Sequence, residues 1–176
     1  MIQKAKALSY QAMADLVQNR ADLLSCNSFV CIAQPHLFGP QTTGWPEDSE
    51  RWLNVFFEDV RPEHMSMIHE LEAQFGRAIR VFNEELADKI IEFLLQCNER
   101  KDSEALFVNC AAGVSRSGAI ATFAAEIFEL DRKQFQKDNP GIAPNGLVLY
   151  LLRERWNLRT RPHQSKIPAH SHSNIS

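Results

Sequence analysis

Two patterns of apolar and polar positions alternate along this chain. Short continuous apolar runs are followed by longer stretches in which apolar residues recur every three or four positions. The short runs are typical of strands buried on both faces, and the recurring positions are typical of amphipathic helices packed on a sheet. Strands are predicted at 4–8, 27–33, 51–57 and 105–109. The alternation predicts an α/β domain of three layers, with a central, mainly parallel sheet of about four or five strands flanked by helices.

Helix starts are marked by residues that favour the N-cap position. Ser9 precedes a helix that runs to about Asn19. Asn83, followed by two glutamates, begins a helix with one apolar face that ends near Asn98. Residues 58–82 are less regular and are interpreted as an insert that holds a short helix. The helix of the insert and the remaining helices are predicted at 65–75, 116–130, 132–138 and 145–157.

Length and composition fit one domain with a tail. A chain of 176 residues, 44% of them hydrophobic, is long enough to bury one full core. We assign residues 1–158 to the domain. Residues 159–176 have little apolar content and are predicted to be a disordered C-terminal tail.

Charge and cysteine usage narrow the functional class. The net charge of −3 does not suggest a general nucleic-acid binder. We therefore expect no nucleic-acid partner. No apolar run is long enough for a signal peptide or a membrane span, so we expect no membrane partner either. The four cysteines contain no CxxC pair, which favours free thiols in the cytoplasm. They are Cys26, Cys31, Cys97 and Cys110.

The segment FVNCAAGVSRSG, residues 107–118, carries the clearest chemistry. Cys110 follows a predicted strand, and Arg116 begins a predicted helix. Ligands of parallel sheets bind at the carboxyl ends of strands, and a helix N-terminus stabilises both oxyanions and thiolates. Arginine adds a planar fork that can hold two phosphate oxygens. The residues between them would supply inward-pointing N–H groups: Ala111, Ala112, Gly113, Val114 and Ser115.

Other interpretations of this segment are weaker. A free cysteine is most often a small buried hydrophobe. Residue 117 is serine, which excludes the GxSxG nucleophile elbow, and no GK[ST] sequence of a Walker A loop is present. The spacing of Cys110 and Arg116 between a strand and a helix favours an oxyanion held against a thiolate.

CAAGVSRSG resembles the signature loop of the cysteine-dependent protein tyrosine phosphatases, CxxGxxR followed by Ser or Thr, and most of all that of the compact dual-specificity branch. IAPNGLVLYL, residues 142–151, is similar to the Pro-Asn segment that opens the last helix in that branch. LNVFFEDV ends a strand at acidic residues, where those enzymes place their general acid. FEDV with the long insert after it also resembles a bacterial subgroup of predicted phosphatases.

The resemblance implies a two-step reaction that needs no metal or other cofactor. Cys110 would attack phosphorus to form a cysteinyl-phosphate, while Arg116 and the loop N–H groups hold the phosphoryl oxygens. Asp59 would act first as general acid and then as base, and Ser117 would stabilise the thiolate in the second step. The alternative acids are Glu58, Glu63 and Glu70. The expected partner is a phosphorylated protein or another phosphomonoester.

Several points stay open at the level of sequence. The family usually has histidine before the cysteine, and Asn109 in its place implies a less acidic thiol or a phosphate-binding module without turnover. Asn145 either supports the signature loop or only caps the last helix. Arsenate reduction is a remoter alternative that commonly needs a further redox cysteine, for which Cys97 is nearest in sequence.

Overall fold

The sheet is parallel throughout the part of the chain that the structure describes. This computed structural model describes residues 1–33 and 45–161. The strand order is β1–β4–β2–β3, and every neighbouring pair runs in the same direction. The four predicted strands are confirmed as β1 Lys4–Ser9, β2 Ser28–Ala33, β3 Trp52–Phe56 and β4 Ala105–Cys110.

Helices cover both faces of the sheet, which confirms the three-layer α/β architecture. Seven α-helices lie in the described residues: α1 Tyr10–Asn19, α2 Ala21–Leu24, α3 Ile68–Phe75, α4 Glu84–Glu99, α5 Arg116–Ile127, α6 Arg132–Asp138 and α7 Gly146–Thr160. A 3-10 helix, Pro62–Met67, precedes α3 in the insert. No helix among the described residues combines the length and the apolar character needed to cross a bilayer.

The insert helix predicted at 65–75 is α-helical only from Ile68, and α2 was not predicted. Two helices also end later or earlier than predicted. Helix α5 ends at Ile127 rather than 130, because Glu129 has a left-handed backbone with φ of 53°. Helix α7 continues to Thr160, since Arg159 pairs with Asp88 and Glu92 of α4. The first two residues of the predicted tail therefore belong to a helix. The rest of the tail from 162 onward, and residues 34–44 between β2 and β3, lie outside the described residues.

Each face of the sheet has its own core. Leu106 and Val108 of β4 point to the larger core, which α4, α5 and α7 close. Phe107, one residue along, points to the smaller core with Met13 of α1. Successive side chains of a strand alternate between faces. Cys110 therefore lies on the side of the larger core, and Asn109 lies on the side of α1.

Candidate active site

Cys110 is the last residue of β4, at the edge where a parallel sheet places its ligands. It pairs with Ser9, the last residue of β1. Only 2% of the cysteine is exposed, and its Sγ lies 3.1 Å from the hydroxyl of Ser117. Helix α5 begins at Arg116, so the thiol lies beside a helix N-terminus.

The surroundings of Cys110 favour its thiolate. Burial on its own raises the pKa of this thiol. Hydrogen bonds from the Ser117 hydroxyl and from the N–H groups of Ser117 and Gly113, together with the charge of Arg116, outweigh burial and lower the pKa below its ordinary value. Burial raises the pKa of Cys31 and that of Cys97. Among these three buried thiols, only Cys110 has a pKa below its ordinary value.

The signature loop, residues 111–116, is fastened from outside through its carbonyl groups. Three segments donate a backbone N–H to it: Tyr10 to the Ala111 oxygen (3.1 Å), Ala143 to the Val114 oxygen (3.2 Å) and Asn145 to the Ser115 oxygen (3.1 Å). By contrast, the described residues provide no acceptor for the N–H groups of Ala111, Ala112, Val114 and Ser115. A loop with three carbonyls bonded from outside and four N–H groups unengaged is suited to surround an oxyanion.

Gly113 allows the loop to make this turn. Its φ is 76°, in the left-handed region that L side chains rarely adopt. A Cβ atom at this position would lie 2.5 Å from the backbone nitrogen of Ser9 and 2.6 Å from the carbonyl carbon of Leu8. Both the backbone angle and the closeness of β1 therefore require glycine here.

Arg116 is buried beneath the loop with 2% of its surface exposed. Its Nη1 donates to the Phe57 carbonyl at 2.8 Å, which fixes the plane of the guanidinium. Its Nε is buried and has no hydrogen-bond partner among the described residues. Nε is therefore a donor of the guanidinium that the described residues leave unpaired.

Asp59 lies against the loop, whereas Glu58 is turned away from it. The Oδ1 of Asp59 accepts hydrogen bonds from the Ser115 hydroxyl and the Asn145 amide, both at 2.8 Å, and the residue is exposed. The Glu58 carboxylate is buried and paired with Arg77 of the insert at 2.6 Å. Of the two neighbouring acids, only Asp59 is presented to the site. Glu63 and Glu70 are exposed on the 3-10 helix and on α3, and neither has a hydrogen bond to the loop within the described residues.

Asn145 caps the last helix, and its backbone N–H rather than its side-chain amide contacts the signature loop. Its Oδ1 caps α7 by accepting from the N–H groups of Leu147 and Val148. Its Nδ2 donates to Asp59 and to the Val60 carbonyl, and its backbone N–H donates to the Ser115 carbonyl. The segment after β3 that carries Glu58, Asp59 and Arg61 is called the acidic loop. Asn145 thus joins the start of α7, the acidic loop and the signature loop.

Asn109 is buried on the opposite side of β4 from the thiol. In the sheet it stands beside Leu8 of β1 and Cys31 of β2. Its Oδ1 has no hydrogen-bond partner among the described residues. Among the described residues, the side chain of Asn109 has no hydrogen bond to the signature loop.

Sequence reasoning missed the residues that act through backbone groups. Tyr10, Phe57 and Ala143 position the loop or Arg116 with an N–H or a carbonyl. Every residue except proline has these groups, so no residue type marks them in the sequence.

Comparison with known proteins adds little to this geometry. No protein-family profile matches the chain, and no curated protein matches it either. Among solved structures, the chain is similar to the crystal structure of a human tyrosine phosphatase-like serine/threonine/tyrosine-interacting protein. The identity is 16%, the match covers 87% of each chain, and the TM-score is 0.42. Because the identity and the TM-score are this low, the function has to be argued from the residues of the site.

Proposed function

We propose that this protein is a phosphomonoester hydrolase of the protein tyrosine phosphatase type, acting through a cysteinyl-phosphate intermediate. The observation that carries the proposal is the convergence of four side chains on one loop. Cys110 contacts Ser117, Arg116 lies beneath the loop with Nε unengaged, and Asp59 is bonded to Ser115. A thiolate, an oxyanion clamp and a carboxyl group are the parts that thiol-dependent phosphoryl transfer requires.

In the first step, the Cys110 thiolate attacks phosphorus and forms a sulfur–phosphorus bond. The ester oxygen leaves with a proton from Asp59, so that an alcohol or a phenol is released. The Nε edge of Arg116 and the loop N–H groups bind the non-bridging oxygens. Because these donors are fixed before the substrate arrives, they need no reorganisation as negative charge develops.

In the second step, Asp59 acts as a base. Its carboxylate takes a proton from a water molecule that attacks phosphorus, the sulfur–phosphorus bond breaks, and inorganic phosphate is released. The Ser117 hydroxyl, 3.1 Å from Sγ, donates a hydrogen bond to the returning thiolate. This hydrogen bond stabilises the leaving group.

The positions of the other two buried cysteines do not favour arsenate reduction. Cys97 contacts Arg100, whose Nη2 donates to Ser28 at the start of β2. Ser28 pairs with Leu106, four residues before Cys110, which corresponds to about 13 Å along a strand. Cys31 points to the other face of the sheet. Neither thiol is placed to form a disulfide with Cys110.

The proposal is tested by turnover and by trapping the intermediate. The protein should hydrolyse p-nitrophenyl phosphate, and rapid acid quenching should reveal a phosphate adduct on the peptide that contains Cys110. We further propose that the natural substrate is a phosphorylated protein or another phosphomonoester within the cytoplasm. Binding of tungstate without any turnover would instead identify a phosphate-binding module.

The role of Asp59 predicts a loss that depends on the leaving group. Asp59→Asn should lower kcat by about 10²–10⁴-fold, the usual contribution of a general acid. The loss should be larger for alkyl than for aryl phosphates, because a phenol leaves without full protonation. Steady-state kinetics on p-nitrophenyl phosphate and on an alkyl phosphate measure both effects.

Glu58→Gln is the matched control, since it alters the neighbouring carboxylate. Its carboxylate is paired with Arg77, so the substitution should affect thermal stability more than the leaving-group dependence. Equal losses for aryl and alkyl phosphates in Asp59→Asn would contradict the assigned role.

The lowered pKa of Cys110 predicts the pH below which alkylation and kcat/KM decrease. Since its pKa lies below that of an ordinary thiol, alkylation by iodoacetamide should reach half its maximal rate below pH ~8.5. Ser117→Ala removes the hydroxyl that donates to Sγ and should move this midpoint to higher pH. The acidic limb of kcat/KM should move in the same direction, because the thiolate is the reactive form.

The same titration examines position 109. Asn109→His places a group that can carry positive charge one residue from the thiol, and it should lower the alkylation midpoint. An unchanged or raised midpoint in this variant would show that charge at position 109 does not control the thiol.

A further inference from the structure

The carboxyl group of Asp59 is held through only one of its two oxygens. Its Oδ1 accepts one hydrogen bond from the Ser115 hydroxyl and another from Nδ2 of Asn145, each at 2.8 Å. Both donor residues are buried, whereas Asp59 is exposed. The Oδ2 of Asp59 has no hydrogen-bond partner among the described residues. The two oxygens of this carboxyl group therefore differ in what they can do.

The backbone on either side of Asp59 is fixed as well. The N–H of Glu58 donates to the Arg80 carbonyl at 2.8 Å. The N–H of Val60 donates to the Glu58 carbonyl at 2.9 Å, which closes a three-residue turn around Asp59. The Val60 carbonyl in turn accepts from Nδ2 of Asn145 at 3.0 Å. Asp59 is thus the exposed centre of a turn whose two other residues are buried and bonded.

The cap of α7 decides which end of the Asn145 amide faces Asp59. The Oδ1 of Asn145 accepts from the N–H groups of Leu147 and Val148, at 3.0 and 3.1 Å. An amide turned the other way would set its NH₂ group against these two donors. Nδ2 therefore faces Asp59, and it can only donate. A carboxyl oxygen that accepts this bond and the one from Ser115 has used both of its lone pairs, which leaves Oδ2 to carry the proton of the acid.

Ser115 joins the acid to the signature loop. Its hydroxyl donates to Asp59, and its carbonyl accepts from the N–H of Asn145. Its own N–H, which has no acceptor among the described residues, is one of the groups proposed to bind the phosphoryl oxygens. One residue therefore contacts the acid through its side chain and would contact the substrate through its backbone. This arrangement fixes the position of the carboxyl group relative to the bound phosphoryl group.

We propose that Ser115 and Asn145 are positioning residues for the general acid, which hold Asp59 through Oδ1 so that Oδ2 transfers the proton. This inference rests on the proposed phosphatase function. In the first step the proton moves from Oδ2 to the ester oxygen as the bond between that oxygen and phosphorus breaks. The two hydrogen bonds to Oδ1 stabilise the carboxylate that remains. In the second step Oδ2 takes a proton from water as the water oxygen bonds to phosphorus and the sulfur–phosphorus bond breaks.

Ser115→Ala removes the hydroxyl but keeps the N–H of the loop. On an alkyl phosphate kcat should fall about tenfold, the effect expected from losing a hydrogen bond to a charged group. On p-nitrophenyl phosphate, whose phenol leaves without full protonation, the fall should be less than about threefold. KM and tungstate affinity should stay close to the wild-type values. Ser115→Thr restores a hydroxyl and should recover the lost rate, and Ser66→Ala, an exposed serine of the 3-10 helix, is the matched control.

Asn145→Asp tests the second donor with little change of shape. Aspartate is as good an N-cap as asparagine, so the start of α7 should be retained. The NH₂ group that faces Asp59 is replaced by an oxygen, which does not donate when ionised. At neutral pH, kcat on the alkyl phosphate should fall at least about tenfold, again more than on p-nitrophenyl phosphate.

A double-mutant cycle shows whether Ser115 acts through Asp59. Ser115→Ala should cause no further loss of kcat when it is added to Asp59→Ala. Thermal unfolding of the same four proteins measures the contact without turnover, and Ser115→Ala should lower the Tm of the wild type more than that of Asp59→Ala. A full tenfold loss in the Asp59→Ala background, or equal losses for alkyl and aryl phosphates, would overturn the positioning role. A wild type that hydrolyses neither ester, while the coupling in Tm persists, would instead reject the proposed function.

Discussion

Cys110→Ser is expected to abolish phosphomonoester hydrolysis, with a fall in kcat on the order of 10⁶-fold. Serine has nearly the same shape, but its hydroxyl is not ionised at neutral pH and has no neighbouring general base. The donors that lower the thiol pKa are the Ser117 hydroxyl and backbone N–H groups, and none of them removes a proton. The measurement is steady-state hydrolysis of p-nitrophenyl phosphate.

The same variant should still bind the oxyanion. The loop N–H groups and Arg116 are unchanged, so tungstate affinity measured by calorimetry should stay close to that of the wild type. Cys26→Ser is the control, because Cys26 lies in the turn before β2 and donates to the carbonyl of Asp22. If Cys110→Ser kept most of the wild-type rate, the cysteinyl-phosphate mechanism would be wrong.

Arg116→Lys should lower kcat/KM by about 10³-fold or more, although charge is conserved. The arginine uses Nη1 to hold the Phe57 carbonyl and has Nε left for the oxyanion. A lysine ammonium is a single point of charge at the end of a flexible chain. It cannot hold the Phe57 carbonyl in the plane of the site and present a second donor edge at the same time.

Tungstate binding separates this loss from a folding defect. Arg116→Lys should weaken tungstate affinity while the unfolding transition remains cooperative. Arg61→Lys, an exposed arginine of the acidic loop, serves as the control and should retain full activity. Activity of Arg116→Lys close to that of the wild type would show that the guanidinium does not clamp the phosphoryl group.

Local patterns were sufficient to predict the strands and most of the helices, and to place Cys110 and Arg116 at one loop. The apolar runs predicted all four strands, because a strand covered on both faces must be apolar along its length. Ser9, Asn83 and Asn145 were placed at helix starts, since an N-cap bond closes within three residues. The spacing of Cys110 and Arg116 placed both at one loop, because that geometry is set within seven residues of chain.

The contacts that distinguish the two neighbouring acids needed the tertiary structure. The sequence favoured Asp59 as the general acid and kept Glu58 as an alternative, because the two are adjacent and chemically alike. Glu58 is held by Arg77, nineteen residues later, and Asp59 by Asn145, eighty-six residues later. Each partner is a common residue type with many other uses, and only folding brings it to its carboxylate.

The conformation of the signature loop and the orientation of Arg116 are also fixed by backbone groups that are distant in sequence. Gly113 faces the backbone of β1, the Phe57 carbonyl fixes the plane of Arg116, and Ala143 holds the loop from the segment before α7. The sequence by itself determined the parallel sheet, the helix starts and a thiol beside a guanidinium, because periodicity, capping and short loops are local. Only the tertiary structure decided which carboxylate contacts the loop and which nitrogen of Arg116 binds the Phe57 carbonyl. Those features depend on contacts between segments far apart in the chain, and backbone groups make several of them without any mark in the sequence.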